Sequence, residues 1–241
     1  MERAALRRRL TWQFARVVEV VTETARTKTV VLEAAHWPCQ LAGQHVDVRL
    51  TAEDGYQAQR SYSIASAPED EHLALTVERL DDGEVSPYLT ETLRPGDELE
   101  LRGPIGGYFI WRESLGGPLL LVGGGSGVVP LRAILRHHRA SASEIPARLL
   151  YSARTRADLI YHAELADYDT TLTLTREQPR GWSGRTGRID RDLLSEAAWP
   201  PDQQPLIYLC GPTGFVEGVA DALVSLGHEP SRIRAERFGP T

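Results

Sequence analysis

Arg60-Ser61-Tyr62-Ser63 is the first stretch of this chain whose residue types suggest chemistry. On an extended strand side chains alternate, so Arg60 and Tyr62 share one face and Ser61 and Ser63 the other. A guanidinium presents a planar fork of donors that matches a phosphate. A tyrosine ring gives a flat amphipathic surface for stacking, and a serine hydroxyl donates or accepts a hydrogen bond. Together they suit a ligand with a phosphate and a planar ring. Taken alone, the four residues fit a plain edge strand equally well. Gly83-Glu84-Val85-Ser86 places a glycine turn at a helix start, where free backbone N–H groups suit a pyrophosphate. Leu119-Leu120-Leu121-Val122 runs straight into Gly123-Gly124-Gly125-Ser126-Gly127-Val128-Val129-Pro130. Glycines there let the backbone approach a phosphate closely, and Pro130 fits the first helical turn, where its missing N–H costs nothing. Cys210-Gly211-Pro212 ends another strand; out of context, such a cysteine reads as a buried structural thiol.

The elements that must position these groups fall into two rhythms. Up to Gly116-Gly117-Pro118 short β-rich runs dominate: 14–21, 27–34, 45–50, 59–64, 73–80 and 98–102. Turn residues such as Asp54-Gly55 and Asp82-Gly83 separate them. One short helix fits 86–93, with Ser86 as N-cap and Pro87 at the first helical position. Many short strands with a single helix predict a closed antiparallel barrel of six strands. Beyond the boundary, strands at 118–122, 148–152, 171–175, 206–210 and 233–236 alternate with helices at 130–139, 158–165, 190–196 and 214–226. That rhythm predicts a parallel, Rossmann-like α/β sheet with helices on both faces. Ligands of such sheets bind outside the carboxyl ends of the strands. The expected fold class is thus β + α/β, with domains over 1–115 and 116–241.

Composition narrows the function classes. A length of 241 residues is comfortable for two domains. A net charge of −6 argues against nucleic-acid binding, which needs a concentrated basic face. Two cysteines, Cys39 and Cys210, cannot hold a zinc or iron–sulfur site by themselves, and the seven histidines show no ligand spacing, so no metal site is expected. Cys39 reads as structural. Arg7-Arg8-Arg9 has no apolar region after it, so a secretory signal is not expected, and no run is long enough to span a bilayer. The expected setting is reducing and cytoplasmic.

Taken in order, these motifs resemble the ferredoxin–NADP+ reductase family over nearly the whole chain. The resemblance implies that Arg60 contacts the FAD phosphates, Tyr62 packs on the isoalloxazine or ribityl, and Ser63 hydrogen-bonds near flavin N5, with Ser61 in the same motif. It implies that Val77 and Arg79 lie on a second flavin-contacting strand. Gly83, Val85 and Ser86 match the pyrophosphate turn, and Gly103 to Tyr108 match a Gly-Pro-x-Gly turn. Gly124, Gly125 and Gly127 match the nucleotide loop, although Val129 stands where the family carries Thr. Cys210, Gly211 and Pro212 match the Cys-Gly-Pro motif beside the nicotinamide, with Cys210 shaping the site and not acting as a nucleophile. Glu236 matches a proton relay near N5, and Phe238 a cover for the flavin. FAD is favoured over FMN. Arg154 follows one strand, and Thr175-Arg176-Glu177-Gln178 resembles the Ser-Arg-Glu-Gln segment of NADPH-specific reductases, which favours NADPH over NADH.

The function this implies is transfer of hydride from NAD(P)H to bound FAD, then of electrons to an acceptor. No cysteine-rich ferredoxin segment is present, so the acceptor is expected to be a separate ferredoxin, an oxygenase, another electron-accepting protein or a small molecule. The alternative is a flavin- and NAD(P)-binding subunit that regulates, or passes electrons within, a larger complex.

Overall fold

In the computed structural model, which describes residues 10–239, each rhythm becomes one six-stranded sheet. Arg7-Arg8-Arg9 and Pro240-Thr241 lie outside the described residues. The first sheet contains β1 (Gln13–Thr24), β2 (Thr27–Glu33), β3 (His45–Thr51), β4 (Gln57–Ser63), β5 (Leu73–Glu78) and β6 (Glu98–Ile105). Its order is β4-β3-β6-β1-β2-β5, and every neighbouring pair is antiparallel. The two end strands meet where Ile64 bridges Leu75 and the Ala65 N–H donates to the Ala74 carbonyl at 2.8 Å. That contact closes the sheet into a barrel and removes its free edges. Alternation makes the core: Ala15 and Val17 point inward while Phe14, Arg16 and Val18 stay outside. Val30, Leu32, Val46, Val48, Leu75, Leu99 and Leu101 fill the interior, each large side chain contributing about 1.5–3 kcal/mol by leaving water.

The helix expected over 86–93 takes a different form. α1 (Val85–Pro87) passes directly into a wider π turn over Tyr88–Thr92. Ser86 is not its N-cap; Glu84 holds that position without a side-chain hydrogen bond. The Ser86 hydroxyl instead accepts from the Leu80 N–H at 3.0 Å and closes the preceding loop. Thr90 Oγ1 donates to the Ser86 carbonyl at 2.8 Å, the kind of back-bond that loosens a helical ladder.

The second sheet contains β7 (Leu119–Gly124), β8 (Ala147–Ala153), β9 (Thr170–Leu174), β10 (Arg185–Thr186), β11 (Leu206–Pro212) and β12 (Ile233–Phe238). It is parallel throughout, in the order β10-β9-β8-β7-β11-β12. The chain moves outward from β7 to β10, then returns to lay β11 on the other side of β7. The gap between the ends of β7 and β11 is therefore the switch point of the sheet. Around it pack α2 (Val128–Ala140), α3 (His162–Leu165), α4 (Arg191–Ala197) and α5 (Thr213–Ser225). Leu119 to Val122 are buried on both faces, as a central parallel strand requires.

The helix expected over 158–165 is broken. A 3₁₀ turn over Arg156–Asp158 is closed by a Thr155–Asp158 capping box, and only the four residues of α3 follow. Tyr161, between them, takes a left-handed conformation (φ 59°, ψ 24°) that a helix cannot continue through.

The two sheets share packing. Ala42, Ala65, Ala74, Phe109 and Trp111 belong to the same buried cluster as Leu121, Leu131 and Ile134. Phe109 meets Tyr208 edge-on with ring centroids 5.1 Å apart, and the Tyr208 hydroxyl donates to the Ile110 carbonyl at 2.6 Å. Among the described residues no helix is long and apolar enough to cross a membrane.

Candidate functional site

Ser63 ends β4 and pairs with His45 on β3. Tyr62 is half-buried against the barrel core, and burial pushes its phenol up to about 12. Arg60 extends its guanidinium into solvent, 4.0 Å from the carboxylate of Glu84. Glu84 lies in the Gly83–Ser86 turn, where the Tyr56 hydroxyl donates to it at 2.9 Å. The fork of Arg60 and the turn therefore face one region of surface. A Cβ on Gly83 would lie 2.9 Å from Ser86 Oγ and 3.2 Å from the Leu80 carbonyl oxygen, so a side chain at this position would crowd the turn. Val85 is buried beneath it. An exposed guanidinium beside a glycine turn and a half-buried ring fits a flavin with a phosphate tail that would take the place of Glu84 on Arg60.

Three other residues of this group are committed elsewhere. The Val77 side chain lies in the barrel core, so this residue offers a ligand only its backbone. Arg79 is paired with Asp81 at 3.2 Å and with Glu91. The Ser61 hydroxyl donates to Asp47 at 2.7 Å, and Arg102 donates to the same carboxylate at 2.6 Å. Burial opposes that charge, yet the hydrogen bonds from Arg102 and Ser61 outweigh it and hold Asp47 below the usual carboxylate range.

The nicotinamide-type motifs converge at the switch point. β7 runs into a 3₁₀ turn over Gly125–Gly127, and α2 begins at Val128 with Pro130 in its first turn. A Cβ on Gly127 would lie 2.1 Å from the Cys210 carbonyl oxygen. A Cβ on Gly124 would lie 2.9 Å from the Phe215 ring, and one on Gly211 only 2.8 Å from the same ring and 3.3 Å from the Gly124 backbone. The two loops thus pack backbone to backbone, which only glycine permits at these positions. Val129 is buried in the core, so its methyl groups serve packing where a threonine would place a hydroxyl.

Cys210 pairs with Glu236, and Pro212 with Phe238, along the parallel β11–β12 ladder. Burial pushes the Cys210 thiol well above its ordinary range, and the Glu236 carboxylate adds to the effect. Burial of this kind disfavours the thiolate that nucleophilic attack requires. Burial also pushes Glu236 up to about 7. Phe238 packs at the rim of the shared core. Farther along the sheet, the Arg176 N–H donates to the Arg154 carbonyl at 2.8 Å, and the Thr175 N–H to the Ala153 carbonyl at 3.0 Å. Two exposed arginines therefore stand on adjacent strand ends, and among the described residues neither has an ion pair.

The expected residues form three groups: Arg60, Tyr62, Ser63, Gly83, Val85 and Ser86 at the barrel; Gly124, Gly125, Gly127, Cys210, Gly211, Pro212, Glu236 and Phe238 at the switch point; Arg154, Thr175 and Arg176 beside it. Sequence reasoning missed His45 and Phe215. His45 faces Ser63 across β3–β4, and a Cβ on Gly106 would lie 3.5 Å from its Nδ1. Burial lowers its pKa, against the pull of Asp47. Pairing β3 with β4 would have found it. Phe215 was marked only by being an aromatic residue in the first turn after Cys-Gly-Pro.

Comparison with known proteins finds two family models along the chain. Residues 15–110 match the family model of the oxidoreductase FAD-binding domain, and residues 121–221 that of the oxidoreductase NAD-binding domain. The chain is 32% identical over 239 residues to the glycine betaine monooxygenase reductase subunit of Chromohalobacter salexigens, covering 94% of this chain and 64% of that protein. It is 32% identical over 209 residues to the ferredoxin–NAD(P)(+) reductase component of the Pseudomonas putida naphthalene 1,2-dioxygenase system, covering 82% and 60%. Among solved structures, the cytochrome P450 reductase of Amycolatopsis superposes with a TM-score of 0.84 at 30% identity, covering 96% of this chain and 71% of that one. The chain carries an oxidoreductase FAD-binding domain followed by an oxidoreductase NAD-binding domain, and it belongs to the ferredoxin–NADP+ reductase-like family. It spans less than two thirds of the length of the two curated relatives.

Proposed function

We propose that the chain is a reductase that binds FAD in the half over 1–115 and NAD(P)H in the half over 116–241, and delivers electrons to a separate acceptor. The observation that carries this reading is the close approach of Gly127 to the Cys210 carbonyl, which builds a side-chain-free crest at the switch point. Bound FAD supplies the redox chemistry, taking two electrons from reduced nicotinamide and releasing them singly or in pairs. Arg60 and the amides of Gly83, Val85 and Ser86 hold its phosphates, with Arg79 beside them. Tyr62 packs on its ring or ribityl, Val77 lends backbone contacts, and the Ser63 hydroxyl donates near its N5 atom, with Ser61 steadying the strand from the outer wall. Gly124, Gly125, Gly127, Gly211 and Pro212 let the nucleotide lie close to the backbone. Cys210, held neutral, shapes the space for the nicotinamide. Glu236 keeps its proton up to about pH 7 and can pass it towards the ring. Phe238 excludes water from the same side.

The nucleotide we favour is NADPH. Its extra phosphate needs cationic partners, and Arg154 and Arg176, which have no ion pair among the described residues, offer them beside the Thr175 hydroxyl, now bonded to the Ala153 carbonyl at 3.3 Å. The acceptor class follows from the relatives, whose names place them in monooxygenase and dioxygenase systems. An oxygenase or a ferredoxin fits the acceptor role here.

The test is a visible spectrum of the purified protein, followed by anaerobic addition of NADH and NADPH separately. A yellow protein bleached faster by NADPH is the expected result. A colourless protein that takes up no FAD overturns the reading. A bound flavin that neither nucleotide bleaches points instead to a non-catalytic subunit.

A further inference from the structure

Tyr161 belongs to the nucleotide half, but its hydroxyl ends on the outer face of the barrel wall, on the side of β5 opposite the core residues Leu75 and Val77. The ring is buried, and Oη donates to Oγ1 of Thr76 on β5. Thr76 lies directly opposite Thr29 on β2, and their hydroxyls are 2.8 Å apart. Thr29 donates in turn to the Glu23 carboxylate at 2.7 Å. Each hydroxyl has one proton, so the chain has a single polarity. Thr29 gives its proton to the carboxylate and must accept from Thr76; Thr76 then has only its lone pairs to offer Tyr161. Burial raises the phenol well above its ordinary pKa and keeps it a donor. The Arg132 guanidinium covers the ring, 4.4 Å from its centroid.

The backbone supports this purpose. Tyr161 is held in the left-handed region, uncommon for a bulky residue and maintained only where the surroundings impose it. Three residues later Glu164 pairs with Arg132 at 2.7 Å and with Arg136 at 3.3 Å. Arg132 donates to the Ala65 carbonyl at 3.1 Å, and Arg136 pairs with Asp70 on the barrel side. One short segment of the nucleotide half therefore grips the barrel at β5 and at the loop before it. Thr76 immediately precedes Val77, whose backbone faces the flavin in the function proposed above.

We propose that Tyr161 is a positioning residue that fixes the flavin-contacting strand β5 against the nucleotide half through Thr76, and so sets the distance over which the nicotinamide reduces the flavin. The inference rests on the proposed reductase function.

The test uses the FAD-loaded protein with Tyr161→Phe, Thr76→Val, the double variant and Thr76→Ser, which keeps the hydroxyl. Anaerobic rapid mixing gives the limiting rate of flavin bleaching, NADP+ titration gives nucleotide affinity, and hydrogen exchange reports the amides of β5. Tyr161→Phe and Thr76→Val are each expected to slow the limiting rate about tenfold, the scale set by small misplacement of reacting groups. The double variant should be no slower than either single one, because the two residues share one bond. Nucleotide affinity should hold within about twofold, Thr76→Ser should keep the wild-type rate, and β5 amides should exchange faster in the two slow variants. Unchanged limiting rates with only a lowered melting temperature would overturn the proposal, as would multiplying effects in the double variant. If neither nucleotide bleaches the wild-type flavin, the reductase reading fails instead. The positioning claim is then judged by exchange alone, and unchanged β5 exchange in both variants overturns it.

Discussion

Glu236 and Cys210 sit side by side on β12 and β11, and both are held in their neutral forms by burial up to about neutral pH. The Glu236 pKa is raised from 4.5 to about 7. The folded protein thus binds a proton more tightly than the unfolded chain between those values. Its stabilising effect is full below the unfolded value and is lost as pH rises through about 7. Glu236→Gln should therefore gain stability relative to wild type at pH 8 while differing little at pH 4, read by urea denaturation at both pH values. Any step near pH 7 in the rate of flavin bleaching should also vanish in this variant.

Gly127→Ala should be costly. The new methyl would lie 2.1 Å from the Cys210 carbonyl oxygen, a backbone atom with no room to yield. Overpacking of this kind costs about 1–3 kcal/mol. Thermal unfolding should show the loss, and the flavin of the variant should resist bleaching by NAD(P)H while keeping its yellow colour.

Arg60→Ala removes the exposed fork above the Gly83–Ser86 turn. Hydrogen bonds to charged groups contribute about 1.5–3 kcal/mol each, so FAD affinity should fall roughly ten- to a hundredfold by the same reckoning. Fluorescence of the released flavin measures it. FMN should lose less wherever Arg60 binds the phosphate nearer the adenosine, and an equal loss would assign it to the phosphate the two flavins share.

Arg154→Ala and Arg176→Ala should raise KM for NADPH about tenfold or more while leaving kcat and the KM for NADH nearly unchanged. Steady-state assays with both nucleotides decide it. Equal effects on NADH and NADPH would remove the 2′-phosphate role from this pair.

Much of the architecture was legible because side-chain period and turn chemistry agree with it. Alternation along 14–21 and 73–80 marked barrel strands, and the apolar run before Gly123 marked the central parallel strand. The misses have local causes. Ser86 looked like a cap, but the turn at Gly83 brings the Leu80 N–H to its hydroxyl first. The helix expected over 158–165 is broken by the backbone of Tyr161, whose hydroxyl is held by Thr76 of β5, itself tied to Thr29 and Glu23, partners that no local pattern reveals. β10 is only two residues long, too short for periodicity to register. Of the site, the glycine loops were readable as motifs. Their contact was not, because Gly127 and Cys210 meet only through the return of β11 beside β7.

Phe109 and Trp111 precede the boundary in the chain yet are buried with Leu121 of β7 and with Leu131 and Ile134 of α2. The consequence is cooperativity. Neither half can lose its structure without stripping apolar surface from the other, so heating should give one calorimetric transition rather than two. A fragment cut between residues 115 and 116 would carry a raw hydrophobic scar where those two rings belong.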